Sequence, residues 1–222
     1  LSSHAVTLKG DCGAEGDNLT WTLEDGVLTI EGEGKMAEYS LGGDRGWDNY
    51  TYSIKTIILK EGVTNISNLA FDGCGQLTNI TIPKGVTSIG NSAFAGCYSL
   101  LTITIPDGVT RIGDRAFYGC SSFTNVTIPQ SVTSIGKSAF DSCSNLATIT
   151  IPEGVTNIGE FAFCYCKNLK NVTIPKGVTR IESDTFKYCG NLAAVTIPNS
   201  VTSIGERAFD SCTNLRTITI PE

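Results

Sequence analysis

The chain has 222 residues, of which 41% are hydrophobic and 17% are charged. This composition fits a folded protein, and no apolar run approaches the roughly 20 residues that a membrane-spanning helix needs. The formal net charge of −6 argues against a nucleic acid or an anionic membrane as partner, because either would require clusters of lysine and arginine.

Two short strands are the first predicted elements in chain order. Leu19–Leu23 and Val27–Ile30 alternate apolar and polar side chains, and the Asp-Gly pair between them is a hairpin turn signal. We therefore predict a β-hairpin within a capping segment of residues 1–55. Trp21 and Trp47 are expected to bury the open face of the first repeat.

From residue 56 onwards the sequence repeats every 23 residues, and a fixed period of this length predicts a solenoid. Phenylalanine, cysteine and proline each recur once per copy. The phenylalanines are Phe71, Phe94, Phe117, Phe140, Phe163, Phe186 and Phe209. The cysteines are Cys74, Cys97, Cys120, Cys143, Cys166, Cys189 and Cys212. The pattern predicts seven copies over residues 56–222.

One copy, taken from Leu77 to Leu100, predicts a short strand followed by a short helical turn. Leu-x-x-Ile-x-Ile alternates as a half-buried strand does, and Pro83 ends that strand because it has no N–H. The residues from Gly90 to Phe94 resemble one turn of helix. A lone copy cannot offset the backbone entropy of about 1–2 kcal/mol per ordered residue, so neighbouring copies must share their apolar faces. The prediction is an α/β solenoid with an N-terminal β-hairpin cap.

The cysteine column has three interpretations. Cysteine is among the most buried side chains, so the column fits a tight corner of the core. Disulfides between neighbouring copies would leave one of seven thiols unpaired and require an unfavourable dihedral angle. A metal site favours C-x-x-C pairs, and only Cys164-Tyr165-Cys166 comes near that pattern. We favour the buried column, with Cys12 and Cys164 outside it as candidate exposed thiols.

The pattern L-x-x-I-x-I-P-x-x-V-x-x-I-x-x-x-A-F-x-x-C resembles the BspA-like leucine-rich repeat, the bacterial surface type with a proline after the strand. It covers about residues 56–222. It departs from the commoner leucine-rich repeat, since Gly85, Gly108 and Ser131 stand where that class has its asparagine ladder. The resemblance implies a right-handed leucine-rich-repeat coil and a secreted or cell-surface bacterial protein. It also implies adhesion to host proteins and to other cells.

The sequence predicts no catalytic, cofactor or metal site, and hence no enzyme. The one histidine, His4, lies in an N-terminal tail, whereas a Ser-His-Asp or Cys-His site would need it beside a groove. Carboxylates near each Ala-Phe turn are expected to lie on a solvated outer face. They are Asp114, Asp141, Glu160, Asp184, Glu206 and Asp210.

Two sets of residues are candidates for binding a protein partner. One threonine per copy faces outward on the predicted strand, where it either stabilises neighbouring strands or forms a hydroxyl-rich floor for a ligand. Aromatic residues interrupt the repeat where other copies have small or polar residues, and they either bind a partner or pack along the outer edge. The candidates are Thr104, Thr127, Thr150 and Thr173, with Tyr98, Tyr118, Phe161, Tyr165 and Tyr188.

These features favour a non-catalytic protein-binding or adhesion module. The expected partner is a host extracellular-matrix or plasma protein, with no cofactor and no nucleic acid. The alternative is a structural spacer that carries another domain of a longer surface protein. The chain ends at Pro221-Glu222 without a polar capping segment, so we expect either that the array is truncated there and the natural protein continues, or that an edge strand is left open at this end.

Overall fold

The computed structural model of the chain describes residues 6–220. Over this range the chain forms a β-solenoid that follows three antiparallel strands. These strands are β1 (Leu8–Gly13), β2 (Gly16–Glu24) and β3 (Val27–Gly32). The helical content of the described residues is a single 3-10 turn, Asp48–Tyr50. The predictions for the two chain ends depend on His4, Pro221 and Glu222. These three residues lie outside the described range.

The predicted hairpin is present as β2 and β3, which pair antiparallel with Trp21 opposite Ile30. Asp25 and Gly26 form the two-residue turn, and their φ values of 50° and 79° are those of a type I′ turn. Strand β1 was not predicted and adds a third strand beside β2. The boundary between a cap and the array at residues 55 and 56 stays a prediction.

The predicted strand of each repeat is present and forms the first parallel column of the solenoid. Its pairing begins where β3 pairs in parallel with the strand Thr56–Leu59. In the third copy the column is reduced to a bridge between Thr104 and Thr127. The strands are β4 (Thr56–Leu59), β5 (Asn79–Thr81), β7 (Asn125–Thr127), β9 (Thr148–Thr150), β11 (Asn171–Thr173), β13 (Ala194–Thr196) and β15 (Thr217–Thr219).

A second strand column follows the proline turn and was not predicted. The carbonyl of Pro83 accepts a hydrogen bond from the N–H of Val86 at 3.2 Å, and this turn redirects the chain. Isolated bridges join Ile66 to Ile89 and Ile89 to Ile112. The strands are β6 (Arg111–Ile112), β8 (Ser134–Ile135), β10 (Asn157–Ile158), β12 (Arg180–Ile181) and β14 (Ser203–Ile204).

A stack of phenylalanine rings runs through the core, and we number the coils one to seven from Phe71 to Phe209. Neighbouring rings have centroids 5.3–5.6 Å apart. Trp47 stacks on Phe71 at 6.1 Å, donates its indole N–H to the Ala70 carbonyl, and meets Trp21 edge-on. Both tryptophans are buried; Trp47 packs on the first coil as predicted, while Trp21 packs on Trp47.

The helical turn predicted for each copy is wrong. In coil two the N–H groups of Ser92, Phe94 and Gly96 donate to carbonyls of coil three, each at 2.8 Å. The N–H groups between them donate to the carbonyl three residues earlier, at 3.2–3.3 Å. An α-helix would direct every N–H to the carbonyl four residues earlier, so this segment is a run of turns bonded to the next coil.

The physical reason is that two positions of every coil have left-handed backbone conformation, which interrupts a right-handed helix. Column one, with φ of 53–60°, contains Leu69, Ser92, Arg115, Ser138, Phe161, Asp184 and Arg207. Column two, with φ of 57–77°, contains Gly73, Gly96, Gly119, Ser142, Tyr165, Tyr188 and Ser211. We call the surface that carries both columns the left-handed face.

The cysteine column is buried and unbonded to other sulfurs, as predicted, and all nine cysteines are free. From Cys97 to Cys212 each Sγ donates to the phenylalanine carbonyl of the preceding coil at 3.1–3.3 Å. The expectation of exposed thiols at Cys12 and Cys164 is wrong, because their exposed fractions are 4% and 3%. Among residues 6–220 no helix is long and apolar enough to cross a bilayer.

Candidate functional site

The clearest candidate site on the left-handed face is a pair of stacked tyrosines. Tyr165 and Tyr188 occupy column two in coils five and six, with ring centroids 4.4 Å apart and an interplanar angle of 26°. They remain 41% and 36% exposed. Tyr188 covers one face of the Tyr165 ring, so the other face of that ring looks toward coil four.

The backbone under this pair is held by the repeat and not by the tyrosines. The N–H of Tyr165 donates to the Lys187 carbonyl, and the N–H of Tyr188 to the Asp210 carbonyl, both at 2.8 Å. Coils one to three place glycine at the same position. A left-handed non-glycine residue costs about 1–2 kcal/mol, while stacking of two rings is worth about 0.5–1.5 kcal/mol. Stacking therefore offsets only part of the conformational cost of two left-handed tyrosines relative to glycine.

Tyr98 and Tyr118 lie farther toward the N-terminus on the same face. The Tyr98 side chain packs over glycines, since a Cβ on Gly96 would lie 3.6 Å from the Tyr98 hydroxyl oxygen and a Cβ on Gly119 would lie 3.5 Å from a Tyr98 ring carbon. Tyr98 is nevertheless 60% exposed. The Arg115 guanidinium carbon lies 5.2 Å from the centroid of the Tyr118 ring.

Phe161 borders a cavity of about 420 Å³ on coil four. Lys137 Nζ lies 5.6 Å from the centroid of the Phe161 ring and 2.9 Å from Glu160 Oε2. We name this cavity the coil-four notch. It is lined by Asp114, Arg115, Lys137, Ser138, Asp141 and Phe161.

Two groups near the notch and the tyrosine pair have shifted pKa values. Burial raises the pKa of the Asp141 carboxyl, although the hydrogen bond from Ser142 Oγ at 2.9 Å opposes the shift. Desolvation and then the neighbouring Tyr188 raise the pKa of Tyr165. Among residues 6–220 no group of three His, Cys, Asp or Glu side chains could hold a metal ion.

Asp184 does not lie on a solvated outer face, so that expectation is wrong for this carboxylate. It is 2% exposed, and its Oδ1 lies 3.3 Å from Lys187 Nζ and 3.2 Å from Arg207 Nε. Neither contact has hydrogen-bond geometry at Oδ1, whereas Oδ2 accepts a bond from Arg207 Nη2 at 3.4 Å. The two cations compensate the buried charge, and this arrangement has a structural role.

The threonines lie on a different part of each coil from the aromatic residues. The threonine stripe is exposed on the first strand column and consists of Thr81, Thr104, Thr127, Thr150, Thr173, Thr196 and Thr219. A cavity of about 560 Å³ near its C-terminal end is lined by Thr173, Thr196 and Thr219 together with Ile174 and Ile197. None of the candidate aromatic residues lines it, so the two candidate sets do not form one site.

An asparagine ladder is present that the sequence analysis missed. Asn168 Nδ2 donates to Asn145 Oδ1 at 3.4 Å, and Asn191 Nδ2 donates to Asn168 Oδ1 at 3.1 Å. Asn214 continues the ladder in coil seven. The recurrence of asparagine two residues after the column cysteine was the available signal. These side chains join neighbouring coils along one edge.

The family of the chain is shown by its repeat sequence. The family model described as the BspA type leucine rich repeat region matches residues 47–156 and 134–222, in six copies. The chain belongs to this family. The resemblance seen in the sequence is therefore confirmed. Members of this family are generally protein-interaction or scaffold modules and are generally not enzymes.

Solved structures of bacterial leucine-rich repeat proteins share the fold. The T. pallidum leucine rich repeat protein is 27% identical with a TM-score of 0.68, over 86% of this chain and 84% of that chain. A leucine-rich repeat protein from Eubacterium ventriosum is 27% identical with a TM-score of 0.60, over 97% and 72%. A leucine rich cell surface protein from Faecalibacterium prausnitzii is 28% identical with a TM-score of 0.51, over 99% and 77%. No curated protein gives a significant sequence match.

Proposed function

We propose that this chain is a non-catalytic protein-binding module of a secreted or cell-surface bacterial protein, and that the left-handed face receives the partner. The observation that carries the proposal is the exposed, stacked pair of Tyr165 and Tyr188 at backbone positions that are glycine in coils one to three. Tyrosine is one of the side chains enriched at the energetic centre of protein interfaces, with tryptophan and arginine.

The scaffold beneath the pair supports the same proposal. Seven coils stacked at about 4.8 Å per strand give a rigid array roughly 30–35 Å long, and rigid arrays lose little conformational entropy on binding. Tyr98, Tyr118 and Phe161 extend the aromatic surface, with Thr104, Thr127, Thr150 and Thr173 as a second surface. A surface location is supported by the F. prausnitzii neighbour, described as a leucine rich cell surface protein. We also propose that residues 1–55 form the cap of the array.

The test removes both rings of the tyrosine pair. The double variant Tyr165→Ala, Tyr188→Ala should raise the Kd for a purified protein partner at least tenfold, because each truncation removes a contact worth about 1 kcal/mol or more. The melting temperature should fall by only a few degrees, because alanine keeps the left-handed conformation and the loss is confined to the contacts of two partly exposed rings. Binding is measured against a panel of purified extracellular-matrix and plasma proteins.

Tyr52→Ala is the matched control, because Tyr52 is 81% exposed but lies before the first coil. It should leave the Kd unchanged. Unchanged affinity in the double variant would contradict the proposal for this face. If the array binds none of the proteins on the panel while a longer form of the protein does, the spacer alternative is favoured.

A further inference from the structure

We propose that the coil-four notch receives a single tyrosine or tryptophan side chain of the protein partner. This inference rests on the proposed function and specifies the chemistry of one contact. The walls of the notch are Arg115 on coil three and Phe161 on coil five, and its floor is Ser138. All three residues belong to column one, so their side chains leave the backbone in the same direction.

The spacing of the coils gives the notch the width of one ring. Corresponding residues on adjacent coils are about 4.8 Å apart, so Arg115 and Phe161 stand about 10 Å apart across coil four. A planar ring needs about 3.5–4.0 Å of carbon contact distance on each side. Ser138 is buried, with 6% of its surface exposed, and its small side chain lines the cavity. The cavity of about 420 Å³ accepts one side chain and excludes a folded element.

The walls present groups that attract an aromatic face. Lys137 Nζ lies 5.6 Å from the Phe161 centroid, on the coil-four side of that ring. The Arg115 guanidinium already lies 5.2 Å from the Tyr118 centroid. The Arg115 guanidinium can thus contact the face of a ring held between the walls, and cation–π contacts favour tyrosine and tryptophan over aliphatic side chains.

The floor contains an acceptor for a donor on the incoming ring. The Asp141 carboxylate lines the notch, and its Oδ1 accepts a bond from Ser142 Oγ at 2.9 Å. Burial raises the pKa of this carboxyl because it is poorly solvated, so a new hydrogen-bond donor would improve its environment. The phenol O–H of tyrosine and the indole N–H of tryptophan are such donors, whereas phenylalanine and leucine have none.

The chain itself contains a ring contact of the kind proposed for the notch. In column two, Tyr165 and Tyr188 stack across one coil spacing with centroids 4.4 Å apart. A partner ring above Ser138 would displace the Lys137 ammonium from over Phe161 and stack on that ring in the same way, over one coil spacing. On coil four both left-handed positions are serine, Ser138 and Ser142, whereas on coil five both are aromatic, Phe161 and Tyr165. Small side chains on coil four therefore lie next to rings on coil five.

The first experiment uses amino-acid amides as probes on the intact chain. N-acetyl-tyrosinamide and N-acetyl-tryptophanamide are titrated at millimolar concentration, and amide chemical shifts are followed by NMR. Shifts should concentrate at residues 114–115, 137–141 and 161. N-acetyl-leucinamide and a methyl glucoside should bind at least fivefold more weakly. Equal binding of leucinamide would overturn the proposal, and preferential binding of the glucoside would indicate a glycan site.

The second experiment fills the notch from within. Ser138→Phe places a ring at φ 54°, nearly the conformation in which Phe161 is already accommodated at φ 58°. The variant should fold normally and lose at least tenfold in affinity for the tyrosine and tryptophan probes. Ser92→Phe is the matched control, at φ 53° in the same column of coil two. It should bind the probes as the wild type does.

The two proposals fail separately. If Ser138→Phe binds the probes or the protein partner as tightly as the wild type, the notch inference is wrong. The proposed function still stands in that case, provided that the double tyrosine variant loses the partner. If the amide probes bind in the notch but neither variant affects any protein partner, the proposed function is wrong for this face.

Discussion

Cys143 illustrates how the repeat changes the chemistry of a single residue. Its Sγ donates to the Phe117 carbonyl at 3.2 Å, and the side chain is fully buried. Burial raises the pKa of the Cys120, Cys143 and Cys166 thiols well above the ordinary value. At the end of the column, where Cys212 is half-buried, burial raises the pKa only to about 11. The thiols of the column therefore keep their protons at neutral pH.

This column predicts that the protein loses stability at high pH. Thiols of the unfolded chain lose their protons near about pH 8.5, whereas those of the folded chain keep them. The unfolded state then binds fewer protons, so the free energy of unfolding falls as pH rises above that value. Each fully buried thiol should contribute about 1.4 kcal/mol per pH unit. Urea denaturation at pH 7, 9 and 10 measures the slope.

Cys143→Ala should reduce that slope by the contribution of one thiol. Val132→Ala is the control, because it opens the same core without removing a titrating group; it should lower stability at every pH and leave the slope unchanged. A slope that is the same in Cys143→Ala and in the wild type would contradict the titration of a buried thiol.

At the scale of the element, the left-handed turns explain what the sequence could and could not predict. The core positions were predictable, because the apolar residues of each strand and the Phe and Cys columns recur at fixed spacing. The conformation of the turn segment was not predictable from that spacing, since Ala93, Phe94 and Cys97 face the core in either a helix or a run of turns. Leu69 and Arg115 give no sign of positive φ.

The glycines were the signal that the sequence analysis did not use. Gly73, Gly96 and Gly119 recur in column two, and glycine adopts positive φ more readily than any other residue. The notch on coil four was also unpredictable, because it depends on Arg115 and Phe161 flanking Ser138 across two coil spacings. The individual aromatic residues were predicted as candidates, but the stacking of Tyr165 on Tyr188 required the structure.

Removing positive-φ strain in column two should stabilise the chain. Ser142 has φ 64°, so Ser142→Gly should raise the free energy of unfolding by about 1 kcal/mol. Ser88→Gly is the control, because Ser88 is exposed without positive φ, and it should lower stability by about 0.5–1 kcal/mol. Urea denaturation of both variants measures the difference. Destabilisation by Ser142→Gly would show that the serine side chain outweighs the strain.

At the scale of the whole molecule, the stacked rings make each coil depend on its two neighbours. Phe140 contacts Phe117 and Phe163 with centroids 5.3 and 5.6 Å away and is fully buried. Phe209 stacks on Phe186 and is half-buried. The free energy of unfolding of such an array is approximately the sum of the intrinsic stabilities of the coils and the energies of their nearest-neighbour interfaces. The loss of stability caused by a core substitution therefore depends on which coil carries it.

A cavity in the middle of the ring stack should therefore cost more than one at coil seven. Phe140→Ala should lower the free energy of unfolding by about 3–5 kcal/mol, and Phe209→Ala by less than half of that. Hydrogen exchange should show faster exchange across coils three to five in the first variant and only around coil seven in the second. Equal losses in both variants would contradict the nearest-neighbour description.

The left-handed columns also allow the exposed side chains of the surface to be changed without changing the fold. Column one holds five residue types at seven positions, namely Leu, Ser, Arg, Phe and Asp, with φ within 53–60° throughout. From Leu69 to Asp184 the N–H of each column-one residue donates to a backbone carbonyl of the next coil, and these bonds do not restrict the identity of the side chain. The bond from Arg207 to the Asp184 carboxylate is the exception that uses side chains. A library that randomises the exposed residues of both columns should therefore change which partner is bound. The apolar columns beneath, which determine the fold, would stay the same.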